Sequence, residues 1–298
     1  MMRVPEPDQK PVASVDVGGR TVHRYAAGEG HRDEQTITSF GEEWEKFTVF
    51  SAEDIRTVGA EYFDIVPTGL LTKDTVVLDL GCGSGRWTRY MSPLVGKVEA
   101  VDPSAAVLHA ARANADLQNV RWSQAGVDNI PFADGTFDAI VCLGVLHHVP
   151  DTPGAVAKAA AKLRPGGHML LYLYYALDGR GPLFKALFHA STVVRRFVSA
   201  MPGGLKRFVC DLIAVFVYLP FVVLARLVKV MGGDAWKKVP LSYYVGKRFL
   251  IIRNDALDRF GTPLEQRFTK EQMRRMMTDA GLSEIRFSEN APYWHALG

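Results

Sequence analysis

Three glycines at alternate positions, Gly81, Gly83 and Gly85 in "VVLDLGCGSGRWT" (76–88), follow directly on an apolar run that carries Asp79. A tight turn needs one glycine, so three suggest that something approaches this backbone closely. A second acid, Asp102, closes the next apolar run, "KVEAVD" (97–102), about 20 residues beyond the first glycines. A glycine turn opening a helix, with an acid at the tip of the neighbouring strand, is chemistry suited to a nucleoside: backbone N–H groups on one side, a carboxylate for two ribose hydroxyls on the other. Two histidines, His147 and His148 in "LGVLHHV", follow a fourth apolar run, and imidazole titrates near neutrality, as a general base must.

The elements that must hold these residues are legible as short apolar runs alternating with helix-like stretches. The runs are 75–80, 97–102, 120–125, 137–144 and 168–175, separated by "GRWTRYMSPLV", "AAVLHAARANA" and "PGAVAKAAAKL". Continuous apolarity in "FDAIVCL" and "MLLYLYY" marks strands buried on both faces, as in a parallel sheet covered by helices. A later helix, "TKEQMRRMMTDAG", opens with Thr269 as N-cap and Gln272 three residues on, and "LSEIRFSE" and "PYWHALG" after it are candidate strands completing the sheet.

The glycine pattern departs from the dinucleotide form, GxGxxG. It reads DxGxGxG, with "AGVDNIPFADGTFD" and "LGVLHHV" following in order. With these four elements, residues 74–175 resemble the class I S-adenosylmethionine-dependent methyltransferases, in their small-molecule branch. The resemblance implies a Rossmann-like α/β fold: a mostly parallel seven-stranded sheet with helices on both faces, here with a helical insertion. It also implies S-adenosyl-L-methionine as cofactor and places cofactor contacts at Asp79, Gly81, Cys82, Gly83 and Gly85. Further contacts fall at Asp102 with flanking Pro103 and Ser104, at Val127 packed on the adenine ring, at Asp128 accepting from the adenine amino group, and at Leu143 lining the methionine channel. Asp128 could instead close an Asx turn.

Methyl transfer is an in-line displacement governed by positioning, and a base matters only for a protonated acceptor. His147 or His148 would be that base, or would pack beneath the cofactor helix. Tyr172, Tyr174 and Tyr175 end the fifth run on the acceptor side, although neighbours on a strand face opposite ways, so only a subset can line a pocket. Trp44, in "FGEEWEKF", either closes over the cofactor or belongs to the core. No His/Cys/Asp cluster has metal-ligand spacing, so the expected chemistry is metal-independent.

The domain reading is a flexible N-terminus (1–35), a helical cap (36–70), the cofactor core (71–175), a basic and apolar insertion serving as substrate cap (176–262) and a C-terminal completion of the sheet (263–298). The net charge is only +3, yet Arg180 to Arg253 holds thirteen Lys and Arg against two Asp, +11 in that stretch. Such a block suits an anionic surface. The insertion contains fourteen consecutive apolar residues, Leu212–Ala225, with Pro220 among them. That is short of the ~20 needed to cross a bilayer and is interrupted, so it reads as a buried helical hairpin or an interfacial segment.

Two readings stay open for residues 180–253. In one they dock on an anionic membrane that delivers a lipophilic or lipid-linked acceptor; in the other they form a cap or homodimer interface on a soluble enzyme. No nucleic-acid-binding motif accompanies the basic residues. Cys82, Cys142 and Cys210 lack CxxC spacing and read as buried thiols in a reducing compartment, so the expected location is cytoplasmic, peripheral on the membrane in the first reading. A catalytically silent relative that binds the cofactor as a sensor or scaffold partner is the alternative function.

Overall fold

The computed structural model describes residues 4–28, 33–44, 51–177, 181–290 and 294–298. By internal contacts the chain divides into two units, Met1–Asp178 with Leu264–Gly298, and Gly179–Pro263.

The first unit is built on one nine-stranded sheet. Its elements begin with β1 (Ala13–Asp16), β2 (Thr21–Arg24), α1 (Glu34–Trp44) and α2 (Ala52–Tyr62). The alternating core follows: β3 (Val76–Leu80), α3 (Arg86–Met91), β4 (Lys97–Asp102), α4 (Ala106–Ala113), β5 (Val120–Gln124), β6 (Phe137–Leu143), α5 (Thr152–Ala160) and β7 (Leu163–Tyr172). The spatial order is β1-β2-β5-β4-β3-β6-β7-β9-β8. Here β8 (Arg286–Phe287) and β9 (His295–Leu297) are the two C-terminal strands. Strands β5, β4, β3, β6 and β7 are mutually parallel, and β9 runs antiparallel to both β7 and β8. This is the mostly parallel seven-stranded sheet expected from the sequence, with a hairpin added.

That hairpin lies within the stretch expected to be flexible. β1 and β2 pair antiparallel, and β2 extends the sheet by pairing parallel to β5, with Val22 completely buried against it. Four-residue strands of mixed polarity carry too little pattern to be read, and only the sheet edge beside them makes them strands. β7 also differs, beginning at Leu163 and ending at Tyr172, because a register shift against β6 absorbs the Pro165–Gly166–Gly167 segment.

Each face of the sheet carries its own core. Val156 and Ala159 of α5, with Met273, Met276 and Met277 of the C-terminal helix, cover one face. Trp87 and Met91 of α3, with Val107, Ala110 and Ala111 of α4, cover the other. Full burial of side chains such as Leu78, Ile140 and Leu171 contributes about 1.5–3 kcal/mol each.

The second unit contains α6 (Pro182–Ser199), α7 (Gly203–Ile213), a π-helical turn (Ala214–Tyr218), α8 (Leu219–Val230) and α9 (Phe249–Gly261). The chain then returns to the first unit with α10 (Lys270–Asp279), opened by the expected capping box: Thr269 Oγ1 accepts from the Gln272 N–H, and the Gln272 side chain accepts from the Thr269 N–H. The apolar stretch of the insertion is neither broken nor a hairpin. α7, the π turn and α8 form one helical run, Gly203–Val230. Pro220 removes the N–H that would bond the carbonyl of Phe216, and the wider π turn immediately before it accommodates that loss.

Candidate functional site

The strand order reverses between β3 and β6, and in an open parallel sheet the crevice at the carboxyl ends beside such a reversal is where a ligand sits. At that point β3 passes through Asp79 into the glycine turn. Gly81, Gly83 and Gly85 all adopt left-handed backbone, with φ of +76°, +51° and +77°. The turn is stitched to the tip of β4: the Gly81 and Cys82 N–H groups donate to the Val101 carbonyl at 2.7 and 3.1 Å, and the Gly83 N–H donates to Asp102 Oδ2 at 2.9 Å.

The glycines serve more than a ligand. A Cβ on Gly81 would lie 2.4 Å from Val145 Cγ2, and one on Gly85 would lie 2.8 Å from Asn114 Nδ2 and 3.1 Å from the Trp122 ring. At both positions the close approach suspected from the sequence is made by the protein itself: Gly81 admits the loop after β6, and Gly85 lets α3 settle against α4 and β5.

Asp102 is buried, and its Oδ1 accepts from both the N–H (2.8 Å) and the hydroxyl (2.6 Å) of Ser104. A carboxylate offers about four acceptor positions, so the three bonds from Gly83 and Ser104 leave room on Oδ2 for one further donor, such as a hydroxyl. Pro103 presents its carbonyl to the Gln124 side chain at 3.3 Å. Asp79 is 1% exposed and accepts from the Thr88 hydroxyl at 2.5 Å. Burial, reinforced by the charge of Asp102, raises its pKa to about 7 against the lowering effects of Thr88 and Arg86. Burial also raises Asp102 against its bonds from Ser104 and Gly83. Burial holds the Cys82 thiol well above its usual range.

Two neighbouring buried carboxyls, with the charge of Asp102 disfavouring that of Asp79, form a locus that a cation would relieve. This donor set fits a sulfonium-bearing nucleoside: an acceptor position for a ribose hydroxyl, and negative charge awaiting a positive group.

Val127 and Asp128 lie in a 3-10 turn, Val127–Asn129, after β5. Val127 packs against the core, while Asp128 Oδ1 is bonded by Lys158 Nζ of α5 at 2.5 Å. The expected adenine contact at Asp128 therefore competes with Lys158. N-terminal backbone crosses here too: the Asn129 amide donates to the Ala26 carbonyl at 2.7 Å, and a Cβ on Gly28 would lie 2.5 Å from that of Asp128. Leu143 ends β6, buried among the residues packed on α3.

The two histidines separate into different roles. His148 Nδ1 lies 2.6 Å from the Leu264 carbonyl, which can only accept, so His148 carries its proton on Nδ1 and clamps the segment that returns to this unit. His147 is completely buried, and among the described residues neither ring nitrogen has a hydrogen-bond partner. Burial first, then the charges of His148 and Arg267, holds its pKa well below the usual value, which leaves it a neutral imidazole. Its ring stacks on Tyr174 at 3.9 Å and lies 6.4 Å from Tyr172.

Tyr172 and Tyr174, two positions apart and 5.8 Å between ring centres, form one aromatic wall. Tyr175 turns away to Trp294 at 6.2 Å and forms an isolated bridge with Phe268. Trp44 ends α1, and its side chain lies outside the described residues. The wall continues into residues the sequence reading did not single out. Tyr62 of α2 lies 5.1 Å from Tyr172 and 5.0 Å from Trp87, the Arg267 guanidinium sits 4.9 Å from the centre of the Tyr174 ring, and the Gln266 N–H donates to the His147 carbonyl. Only the aromatic content of "GAEYFDIV" hinted at Tyr62; Gln266 and Arg267 are separated from the wall by the whole insertion.

Residues 78–171 match the family described as "Methyltransferase domain". The chain carries a class I S-adenosylmethionine-dependent methyltransferase domain. The cofactor of this methyltransferase domain is S-adenosylmethionine. Among curated relatives, an uncharacterized methyltransferase, YcgJ of Bacillus subtilis, is 30% identical over 131 residues, covering 43% of this chain and 52% of its own. A ubiquinone biosynthesis O-methyltransferase of Alkalilimnicola ehrlichii is 37% identical over 97 residues, covering 32% of this chain and 39% of its own. The chain spans about half or less of the length of these curated relatives. The crystal structure of the Bacillus YcgJ protein aligns at 27% identity over 47% of this chain and 58% of that one, with a TM-score of 0.39.

Proposed function

We propose that the chain is a methyltransferase that moves the methyl group of S-adenosylmethionine onto a small, lipophilic or lipid-linked acceptor by direct in-line displacement. The observation that carries this is the union of the left-handed glycine turn with Asp102 at the strand-order reversal of the sheet. When bound, the cofactor supplies an electrophilic methyl on a sulfonium. The protein's part is to orient, to neutralise and to exclude water. Asp102 holds a ribose hydroxyl through its remaining acceptor position, while Gly83 and Ser104 keep its carboxylate in place. Asp79 gives up its proton and offers negative charge as a cation arrives. Val127 and Asp128 flank the adenine, with Lys158 holding the Asp128 carboxylate. Cys82, Pro103 and Leu143 shape the cradle, and Gly81 and Gly85 let the turn that carries it pack against Val145 and Trp122.

On the acceptor side Tyr172 and Tyr174 form an apolar wall, and His147 is placed on it with its nitrogens uncommitted. A neutral imidazole can take the proton of a hydroxyl acceptor at Nδ1 or Nε2 as methyl transfer proceeds. His148, engaged with Leu264, positions rather than reacts. We place the enzyme in the cytoplasm, drawing its acceptor from a membrane surface. The experiment is incubation with methyl-labelled cofactor and separated lipid and water-soluble extracts. Label in the lipid fraction is expected, and label in neither, with cofactor binding intact, would replace this reading with a catalytically silent relative.

A further inference from the structure

The outward side of the long helix in the second unit is exposed among the described residues. Its inward stripe, Cys210, Ala214, Tyr218, Val222 and Ala225, is buried. The opposite side exposes Leu212, Phe216, Val223, Leu227, Val230 and Met231, with Phe216 at 71% and Val230 at 86%. On α6 a second exposed patch includes Val193 and Phe197. Only 28% of the most apolar 18-residue stretch of the helix is buried. A soluble protein rarely leaves so continuous an apolar face in water, and a helix apolar all round belongs in a core or in lipid.

We infer that the second unit lies in the plane of an anionic bilayer, with this face of Gly203–Val230 sunk into the headgroup and acyl boundary. Two observations select that occupant and that orientation. The unit carries fourteen Lys and Arg against four Asp between residues 179 and 263. Of those acids Asp211 is held bidentately by Arg253 at 2.6 and 2.7 Å, and Asp234 by Lys237 at 2.8 Å. Exposed Arg196 on α6 and Arg226 and Lys229 on α8 share the helices that carry the apolar faces, where long basic side chains reach phosphate while their stems stay in the apolar layer.

The helix is also long enough to cross a bilayer by length and composition, yet its inner side argues against crossing. α9 packs along α7 and carries Arg253, Asn254, Asp255, Asp258 and Arg259 within thirteen residues. That companion cannot enter hydrocarbon, whereas a helix lying flat keeps α9 on the water side. The acceptor class named above supplies the purpose of this docking and rests on that reading; the docking itself does not.

The test is flotation of the full chain with vesicles of phosphatidylcholine alone or mixed with phosphatidylglycerol, at low and high salt and without cofactor. The chain should float with the mixed vesicles and less so at high salt. Phe216→Asp with Leu227→Asp, both at exposed sites, should weaken partitioning at least about tenfold, and Arg226→Gln or Lys229→Gln about fivefold each at low salt. Cofactor calorimetry and thermal unfolding on the same variants establish that they fold. Fluorophores on Leu205→Cys, Phe216→Cys and Val230→Cys should be quenched by brominated lipid at one shallow depth, within about 5–10 Å of the interface. Depths graded from one end of the helix to the other would mean crossing and would overturn the in-plane arrangement. Absence from every vesicle fraction, or a dimer that Phe216→Asp splits without any vesicle binding, would overturn the membrane as occupant. Flotation with no methyl transfer would instead fault the enzymatic reading and leave the docking standing.

Discussion

Replacing Gly85 with Ala separates a glycine demanded by packing from one demanded by a ligand. Gly85 sits at φ +77°, where an L side chain costs about 1–2 kcal/mol. Its new Cβ would meet Asn114 Nδ2 at 2.8 Å, the Trp122 ring at 3.1 Å and the Ala110 Cβ at 3.3 Å, between α4 and β5. Overpacking of that kind costs about 1–3 kcal/mol. The total, about 2–5 kcal/mol, corresponds to a fall in Tm of about 4–20 °C for a domain of this size. Scanning calorimetry measures it directly. Below the new Tm, affinity for S-adenosylhomocysteine should change less than about threefold, because the methyl group points into protein. A Tm within about a degree of the parent, or a tenfold loss of affinity at unchanged Tm, would refute the packing argument.

Asp79 has a folded pKa of about 7 against an ordinary value of 3.8, so the folded state holds the extra proton and the contribution to stability is greatest in acid, falling as pH rises through 7. Urea unfolding of the cofactor-free protein should show that decline, and Asp79→Asn should flatten it in part, because Glu99, with a pKa raised to about 8 mainly by burial, acts in the same direction. If a cation relieves the Asp79–Asp102 locus, S-adenosylmethionine binding near pH 7 releases protons, seen calorimetrically in buffers of different ionisation enthalpy, and Asp79→Asn abolishes the release. His147→Ala should lower kcat about 10²–10⁴-fold for a hydroxyl acceptor while cofactor affinity holds; an unchanged kcat would remove His147 from proton transfer. Asp64 has its carboxyl lowered: burial would raise it, but bonds from Asn290, Ser288 and His295 prevail. Its contribution is present at neutral pH and lost as pH falls through its folded pKa, so Asp64→Asn should lower Tm at pH 7 and converge with the parent in acid.

The strands that carry the site were legible because burial on both faces leaves near-continuous apolar runs, and β4 matches its expected span residue for residue. The capping box at Thr269 was legible because it is a local bond between two side chains and two N–H groups. What escaped the sequence depends on distant partners. β2 is a strand because β5 lies beside it, and the long helix stays continuous through Pro220 because a π turn precedes it. Nothing in "LHHV" distinguishes its two histidines. The Leu264 carbonyl, 116 residues away, takes His148 and leaves His147 uncommitted.

The central claim is that the glycine turn and Asp102 together hold the cofactor, and isothermal titration of S-adenosylmethionine into the chain and into Asp102→Ala tests it most directly. Binding to the parent, with about a 10- to 100-fold loss in the variant as a hydrogen bond to a charged group disappears, is the predicted result. No heat with the parent, or equal affinity in the two proteins, would contradict it.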